Sequence, residues 1–383
     1  MPQQAKTDKT LFGTTVGLVF FGLVMVYSAS SVMAMQDPRY HSSTYFVVRH
    51  AIYLVPALLL MMFMKRTRYL KLQTPAVAFA AIGSVIILLF LVYLLDPHQH
   101  RWLRLGGLLN IQPAEVAKPA IVLFLAYFVA HRAPAINNKH TLWPAVMTLG
   151  LVIVAVGIPD LGTAVVLAVT AAVVFFVAGL EWRFCGFLLL TALLVGGFAI
   201  VSKPYRMARI VHYFDPEYKF TDRFDQKGRV RAYLRDSPVR DTNYQALQSE
   251  IAVGSGGPLG LGLMRGIQKF LYLPEAHTDF IYAVVGEELG LPGTLGVLAA
   301  FCLILWRGLR ASIRAEDDFG KYLALGVTTM VVVQAFMNMT VVLAMVPTKG
   351  IPLPMISFGG NSLVTTLALM GMLMNVSENV GQA

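Results

Sequence analysis

The stretch LYLPEAHTDFIYAVVGEELGLPGTLGVLAAFCLILW, residues 271–306, decides the class of this protein. From Phe280 onward it is apolar enough to cross a membrane, yet Asp279 stands at its start and Glu287 and Glu288 lie well inside it. A carboxylate exposed to the hydrocarbon of a bilayer costs several kcal/mol. We therefore expect the two glutamates to face partner helices or a water-filled cavity.

The composition of the whole chain fits a membrane protein. Of 383 residues, 56% are hydrophobic and 14% are charged, against roughly 25% charged in a soluble domain. The net charge of +10 reflects an excess of Lys and Arg, which in a membrane protein is typical of cytoplasmic loops and of contacts with anionic lipids. Because there is no run of basic residues of the nucleic-acid-binding kind, we expect no nucleic acid partner. The two cysteines lie in apolar segments and predict no disulfide framework.

Hydropathy divides the chain into membrane crossings. A spanning helix needs about 20 mainly apolar residues. The sequence therefore predicts an all-α polytopic integral membrane protein, a single domain over residues 1–383. Its ten predicted transmembrane helices are 11–34, 45–65, 74–95, 113–131, 142–158, 161–180, 184–201, 278–307, 321–345 and 359–377.

The distribution of Lys and Arg sets the orientation. Placing the N-terminus inside puts most Lys and Arg of the short loops on the cytoplasmic side, and an even number of crossings then leaves both termini there. The long loop between helices 7 and 8, residues 202–277, faces outward. Its second half is apolar and glycine-rich. We expect that half to pack on the outer face of the protein or to lie on the membrane surface, because lipid-exposed irregular backbone is not tolerated.

Two polar features stand at the outer ends of predicted helices. Pro113 suits a first helical position, which puts Glu115 and Lys118 three residues apart on one helical face. They form either a stabilising ion pair or a site that aims a cation at an anionic substrate. Asp160, between the fifth and sixth helices, is either a helix N-cap or a second site residue.

The acids of the opening stretch differ in depth. Glu287 lies eight residues beyond Asp279, about 12 Å deeper along a helix. Glu287 and Glu288 fall near mid-membrane on different faces, and we expect them to contact polar partners such as Gln334 and Asn338 on the ninth helix. Asp279 lies at the outer mouth, where it could exchange a proton with a substrate held at the interface.

Several motifs together carry a resemblance to a known family. They are VYSAS (26–30), RWLRLGG with QPAEVAKP, PDLGTA, NYQALQSEIAVGSGG, HTDFIYAVVGEELG and PTKGIPLPMISFGG. Over essentially its whole length the chain resembles the SEDS family of integral membrane peptidoglycan glycosyltransferases, which includes FtsW, RodA and SpoVE. VMVYSASSVMA followed by a polar outer loop looks more like FtsW, whereas GIPLP is common in RodA, and the FtsW-like reading is favoured. The chain departs from the family pattern at Phe358, usually Tyr, and at Asn361, usually Ser.

The resemblance implies an activity and a site. The implied activity is polymerisation of lipid II into glycan strands at the outer face of the bacterial cytoplasmic membrane, for cell division or cell-shape elongation. The essential aspartate of the family falls on Asp279, which we expect to be the general base. The residues expected to bind substrate are Arg104, Glu115, Lys118, Asp160, Arg209 and Lys349.

The resemblance also implies partners. These are lipid II, a class B penicillin-binding protein and other membrane proteins of the divisome or elongasome. A divalent cation, Mg or Mn, is a possible cofactor. The alternative functions are a lipid II flippase or another transporter, since acids in broken membrane helices also suit transport, and a scaffold that only recruits a penicillin-binding protein.

Overall fold

The computed structural model describes residues 8–96, 100–105, 109–215, 239–270, 272–347 and 350–379. Helices dominate these residues and occupy all ten predicted segments. They are α1 (Lys9–Gln36), α2 (Tyr45–Arg66), α3 (Pro75–Leu95), α4 (Pro113–Arg132), α5 (Lys139–Gly157), α6 (Leu161–Val177), α7 (Trp182–Val201), α8 (Pro204–Phe214), α9 (Val239–Gly256), α10 (Ile281–Arg314), α11 (Asp318–Val342) and α12 (Gly360–Asn379). Short 3₁₀ helices span Tyr69–Leu72 and Ala133–Ala135.

Eight of the described helices are long and apolar enough to cross a membrane: α1 to α5, α7, α10 and α11. Helix α6 is apolar but has 17 residues, and α12 occupies the last predicted segment. The predicted break between the fifth and sixth helices is confirmed, because α5 ends at Gly157 and α6 begins at Leu161. The chain is thus an all-α polytopic membrane protein.

One short hairpin departs from the all-α prediction. Strands β1 (Leu103–Leu105) and β2 (Leu109–Ile111) pair antiparallel, with Arg104 opposite Asn110. The Asn361 side chain, at the start of α12, donates a hydrogen bond of 2.7 Å from Nδ2 to the Asn110 carbonyl. The hairpin therefore fixes the entry of α4 against α12.

Helix α11 forms the centre of the bundle. It is buried along most of its length and packs against α10, α4, α6 and α12. Helix α7 is the opposite case: none of its residues is buried, and its main packing partner in the described part of the chain is α8. The interior polar groups discussed below therefore gather around α11 and α10.

Helix α10 is broken in its N-terminal part. Gly290 has φ +63° and ψ −151°, which are not helical values and which glycine adopts without steric cost. Helix α9 packs along the part of α10 before this break, so closely that a Cβ on Gly256 would collide with the Gly286 carbonyl. Residues 239–270 therefore pack on protein, against the part of α10 that carries Glu287 and Glu288. That this segment lies on the outer side stays a prediction.

Candidate active site

A cavity of about 530 Å³ opens where the ends of α5 and α6, helices α8 and α9, the turn before α10 and helix α11 meet. Polar and charged side chains supply part of its wall. They are Arg101, Asp160, Arg206, Arg209, Gln245, Glu275, Asp279 and Thr340. Asp279, Asp160 and Arg209, predicted from the sequence as site residues, therefore meet in one cavity.

Asp279 lies in a turn whose backbone is firmly held. The carbonyls of residues 277, 278 and 279 each accept a hydrogen bond, from Phe358 N at 2.9 Å, Ser357 Oγ at 2.5 Å and Asn338 Nδ2 at 2.7 Å. Two of these donors belong to the loop before α12, and the third belongs to α11. The position of the Asp279 backbone is thus set from three directions before any substrate binds.

The Asp279 side chain does not act as a helix cap. Helix α10 begins at Ile281, and its N-cap is Phe280, with no side-chain cap bond. The loop before α12 instead passes so close to the carboxylate that a Cβ on Gly350 would collide with Asp279 Oδ2. The Asp279 carboxylate is therefore not used to cap the start of α10.

The surroundings of Asp279 prepare its carboxylate for proton transfer near neutral pH. The pKa of Asp279 is raised from 3.8 to about 7, and burial is the largest cause. Within this shift, the charges of Glu275 and Asp160 also raise the pKa, while those of Arg101 and Arg209 lower it. A general base works best when its pKa is close to the working pH.

Two arginines face this acid across the cavity. Arg209 of α8 lines the wall, and Arg101 places Nη2 at 3.8 Å from Asp160 Oδ2. Asp160 is also the N-cap of α6, accepting from Thr163 N at 3.1 Å and from Thr163 Oγ1 at 2.9 Å. Asp160 is therefore the N-cap of α6, as its sequence position predicts, and also lines the cavity.

Arg206 lines the same cavity but is held by backbone. Its Nη2 donates to the carbonyls of Gly157 and Ile158 at 3.2 and 2.5 Å, and its Nη1 donates to that of Ala199 at 3.2 Å. Carbonyls at a helix C-terminus carry partial negative charge, so a guanidinium satisfies them well. Arg206 therefore fastens α8 to the end of α5.

Glu115 and Lys118 form the ion pair that their spacing predicts. Lys118 Nζ lies 2.8 and 2.7 Å from the two carboxylate oxygens of Glu115 and 2.8 Å from Gln334 Oε1. Thr365 Oγ1 donates to Glu115 at 3.1 Å, and Gln334 Nε2 donates to the Pro352 carbonyl at 2.8 Å. The pair is buried and is absent from the wall of the described cavity. It lies behind the loop that holds Asp279, and its predicted contact with substrate stays a prediction.

The predicted partners of Glu287 and Glu288 are wrong. Gln334 and Asn338 instead serve the loop before α12, since Asn338 Nδ2 donates to the Ile351 carbonyl at 2.7 Å in addition to that of Asp279. The two glutamates are bound instead by the segment that follows α9.

The carboxylates of Glu287 and Glu288 bind that segment. Glu287 Oε1 accepts from Ile267 N at 2.7 Å and from Gln268 N at 3.0 Å. Glu288 accepts from Lys269 Nζ at 2.6 Å. The prediction that both acids are structural contacts inside the membrane stays a prediction, now with identified partners.

Arg104, like Glu115 and Lys118, lies outside the cavity wall, and two charged residues of that wall were not predicted as site residues. Arg104 is exposed on β1 and is not part of the cavity wall, and Lys349 lies outside the described residues. Arg101, three positions before Arg104, and Glu275, four before Asp279, line the cavity instead. Arg101 and Glu275 each have the same charge as a nearby predicted site residue. Closeness in the sequence to Arg104 and Asp279 could therefore have indicated them.

The fit of a divalent cation can be tested on the donor side chains. Over the described ranges, no three His, Cys, Asp or Glu side chains converge closely enough to hold a metal ion. The described side chains therefore offer no cluster of three or more protein ligands for the Mg or Mn considered above.

The chain is similar to known proteins over almost its whole length. A family of cell cycle proteins comprising FtsW, RodA and SpoVE matches residues 9–382. A probable peptidoglycan glycosyltransferase FtsW from Geobacter metallireducens is 36% identical over 380 residues, covering 97% of this chain and 95% of the relative. Stage V sporulation protein E from Bacillus subtilis is 35% identical over 390 residues, covering 98% of each.

Solved structures share the architecture. A chain of a peptidoglycan synthase complex, studied for its coordination of polymerization and crosslinking, has a TM-score of 0.73 and 25% identity, covering 98% of this chain and 99% of that one. The rod shape determining protein RodA from Thermus thermophilus has a TM-score of 0.65 and 25% identity, covering 98% of both chains.

Proposed function

The chain belongs to the FtsW/RodA/SpoVE family of cell cycle proteins, and from this membership we propose how it works as a peptidoglycan glycosyltransferase that polymerises lipid II. One sugar hydroxyl of a lipid-linked disaccharide-peptide attacks the anomeric carbon of a second. A carbon–oxygen bond forms, the bond from the anomeric carbon to the pyrophosphate oxygen breaks, and undecaprenyl pyrophosphate leaves with the electron pair.

Asp279 is the general base in this proposal. The observation that carries it is a carboxylate with a pKa raised to about 7 at the wall of a cavity that it shares with Arg101 and Arg209. It accepts the proton of the attacking hydroxyl, a role that contributes on the order of 10²–10⁴ in rate. Its held backbone keeps the carboxylate in place without help from the substrate.

Arg209 and Arg101 stabilise the departing pyrophosphate. Both are cations of the cavity wall, and fixed positive groups placed where negative charge develops lower the barrier most in a water-poor site. Asp160 orients Arg101 through the contact of 3.8 Å. Arg104, Lys349, Glu115 and Lys118 remain predicted substrate contacts on sequence grounds.

The topology in this proposal has ten crossings. Helices α6 and α12 are the two additional ones: α6 packs against α11 and α4 in the interior, and 17 residues are at the short end of the spanning range. Both termini are then cytoplasmic and the cavity opens outward. A cysteine at Glu250, which is exposed on α9, should react with an impermeant maleimide from outside in a variant lacking Cys185 and Cys302. Reaction only from inside would reverse this orientation.

The family and the synthase complex suggest the partner. We propose that the chain works in the bacterial cytoplasmic membrane with a class B penicillin-binding protein that cross-links the strands, alongside other divisome or elongasome proteins. The FtsW names of the relatives favour cell division over elongation.

The experiment that tests the function is a reconstitution. Purified protein in detergent or vesicles receives lipid II, and glycan strands are separated by gel electrophoresis. Polymer formation supports the glycosyltransferase. Lipid II that crosses vesicles without polymerising would support the flippase, and activity from an added partner alone would support the scaffold.

A further inference from the structure

A buried ion pair unused by the mechanism joins α1, α10 and the segment after α9. Lys269 Nζ lies 2.6 Å from Glu288 Oε1, and these side chains are 1% and 0% exposed. Ser28 Oγ of α1 lies 2.7 Å from both carboxylate oxygens of Glu288 and 3.0 Å from Lys269 Nζ. We call Ser28, Lys269 and Glu288 the clamp.

The clamp belongs to a wider set of contacts that ties one segment, residues 257–270, to α10. Backbone amides of this segment point at the two glutamates: Met264 N donates to Glu288 Oε2 at 3.0 Å, beside the two amides that bind Glu287. The carbonyls of residues 287 and 288, just before the break at Gly290, accept from Leu261 N and Gly262 N at 2.9 Å each.

Glycines make this approach possible. A Cβ on Gly266 would lie 2.6 Å from Glu287 Oε2, and one on Gly260 would collide with the Glu288 carbonyl. Because the backbone of this segment lies in direct contact with α10 at both glycines, it cannot shift relative to that helix without a steric clash. The segment is therefore fixed more closely than a surface loop usually is.

The fixed segment leads directly into the turn of Asp279. Leu273 N donates to the Gln268 carbonyl at 2.8 Å, so the chain turns back immediately after Lys269 and then carries Glu275 and Asp279 to the cavity. The loop before α12 holds the far side of this turn. The clamp is the anchor at its near side, and no member of the clamp lines the described cavity.

Stability alone gives little reason for such an ion pair. Replacing a buried ion pair by apolar side chains of similar size is often neutral or stabilising, whereas removing one partner is strongly destabilising. We propose that Ser28, Lys269 and Glu288 are positioning residues, which set where the Asp279 carboxylate meets its substrate. This inference rests on the proposed glycosyltransferase function.

Comparison of a single with a double variant separates positioning from stability. Lys269→Met leaves the Glu288 charge buried without its cation, and we expect a clearly lower Tm. Lys269→Met/Glu288→Met removes both charges, and we expect its Tm to return toward that of the wild type. Its kcat for lipid II polymerisation should stay lower by about 10²-fold, because misplacement of a reacting group by about 1 Å has that effect. Its KM should change little, because the clamp contacts no substrate.

Two further variants complete the test. Arg307→Met/Asp8→Asn removes a distant ion pair of 2.6 Å and keeps an N-cap side chain on α1, so kcat should be unchanged. Ser28→Ala removes one hydrogen-bonding hydroxyl and no charge, so it should lower kcat at near-normal Tm and decides the matter if the double variant does not fold.

The outcomes are distinct. A double variant with both Tm and kcat of the wild type would overturn the positioning role, and so would an unaltered kcat in Ser28→Ala. A wild-type protein that makes no polymer would instead overturn the proposed function itself.

Discussion

Glu275 offers the sharpest test of the electrostatics at Asp279. The pKa of Asp279 rises from 3.8 to about 7, which corresponds to about 4 kcal/mol against ionisation at about 1.4 kcal/mol per unit. Burial is the largest cause, repulsion from Glu275 the second, and Asp160 adds to it, while Arg101 and Arg209 act in the opposite direction. Glu275→Gln removes the repulsion and keeps the shape of the side chain. We expect the pKa of Asp279 to fall by about one unit, equivalent to about 1.4 kcal/mol.

This change has a defined sign in the pH–rate profile. A general base is active only when ionised, so kcat/KM of the wild type should fall about tenfold per pH unit below about pH 7. In Glu275→Gln this acid limb should move to lower pH. At pH 6, the fraction of the plateau rate that remains should therefore be about fivefold larger than in the wild type.

The assay is lipid II polymerisation by purified protein, followed from pH 5 to 8.5, with each rate divided by the plateau rate of the same variant. Glu250→Gln is the matched control: it removes an exposed acid on α9 that does not line the cavity, so its limb should coincide with that of the wild type. An acid limb that stays in place in Glu275→Gln, or that moves to higher pH, would refute the electrostatic reasoning.

Three further predictions concern stability. Lys118→Met leaves Glu115 buried without its cation and should destabilise the protein by about 3–5 kcal/mol, measured as the loss of Tm in detergent; an unchanged Tm would contradict the buried pair. Gly256→Ala should destabilise the protein by about 1–3 kcal/mol, because the added methyl group meets the Gly286 carbonyl. The control Gly254→Ala, whose methyl group has free space, should be neutral or stabilising, and equal Tm values for the two variants would contradict this packing. Because the pKa of Asp279 is raised above its ordinary value, its contribution to stability is full below about pH 4 and is lost as the pH rises through about 7. Asp279→Asn should remove this part of the pH dependence of Tm. An identical pH dependence of Tm in both proteins would contradict the raised pKa.

Much of the fold could be predicted from the sequence because hydrophobic length acts locally. The apolar segments predicted most helix positions to within a few residues and separated α5 from α6, although α10 runs on to Arg314, beyond the predicted end at 307. The contact of Glu115 with Lys118 follows from helical spacing alone. Asp160 could be predicted as an N-cap for the same reason, since caps depend on a few neighbouring residues.

The partners of Glu287 and Glu288 could not be predicted in this way. Lys269 lies 19 residues before Glu288 and Ser28 lies 260 residues before it, and helical periodicity carries no information at those separations. The choice of Arg101 over Arg104 at the cavity likewise depends on tertiary structure, since Arg104 lies on β1 and the paired strand β2 is hydrogen-bonded to α12 through Asn110 and Asn361.

Polymerisation by Asp279→Asn tests the central claim most directly. Asparagine keeps the backbone carbonyl that Asn338 binds and the size of the side chain, but it cannot accept the proton of the attacking hydroxyl. The variant should fold, keep a Tm close to that of the wild type and bind lipid II, yet form essentially no glycan polymer. A folded Asp279→Asn protein that polymerises lipid II at a substantial fraction of the wild-type rate would contradict the assignment of Asp279 as the general base.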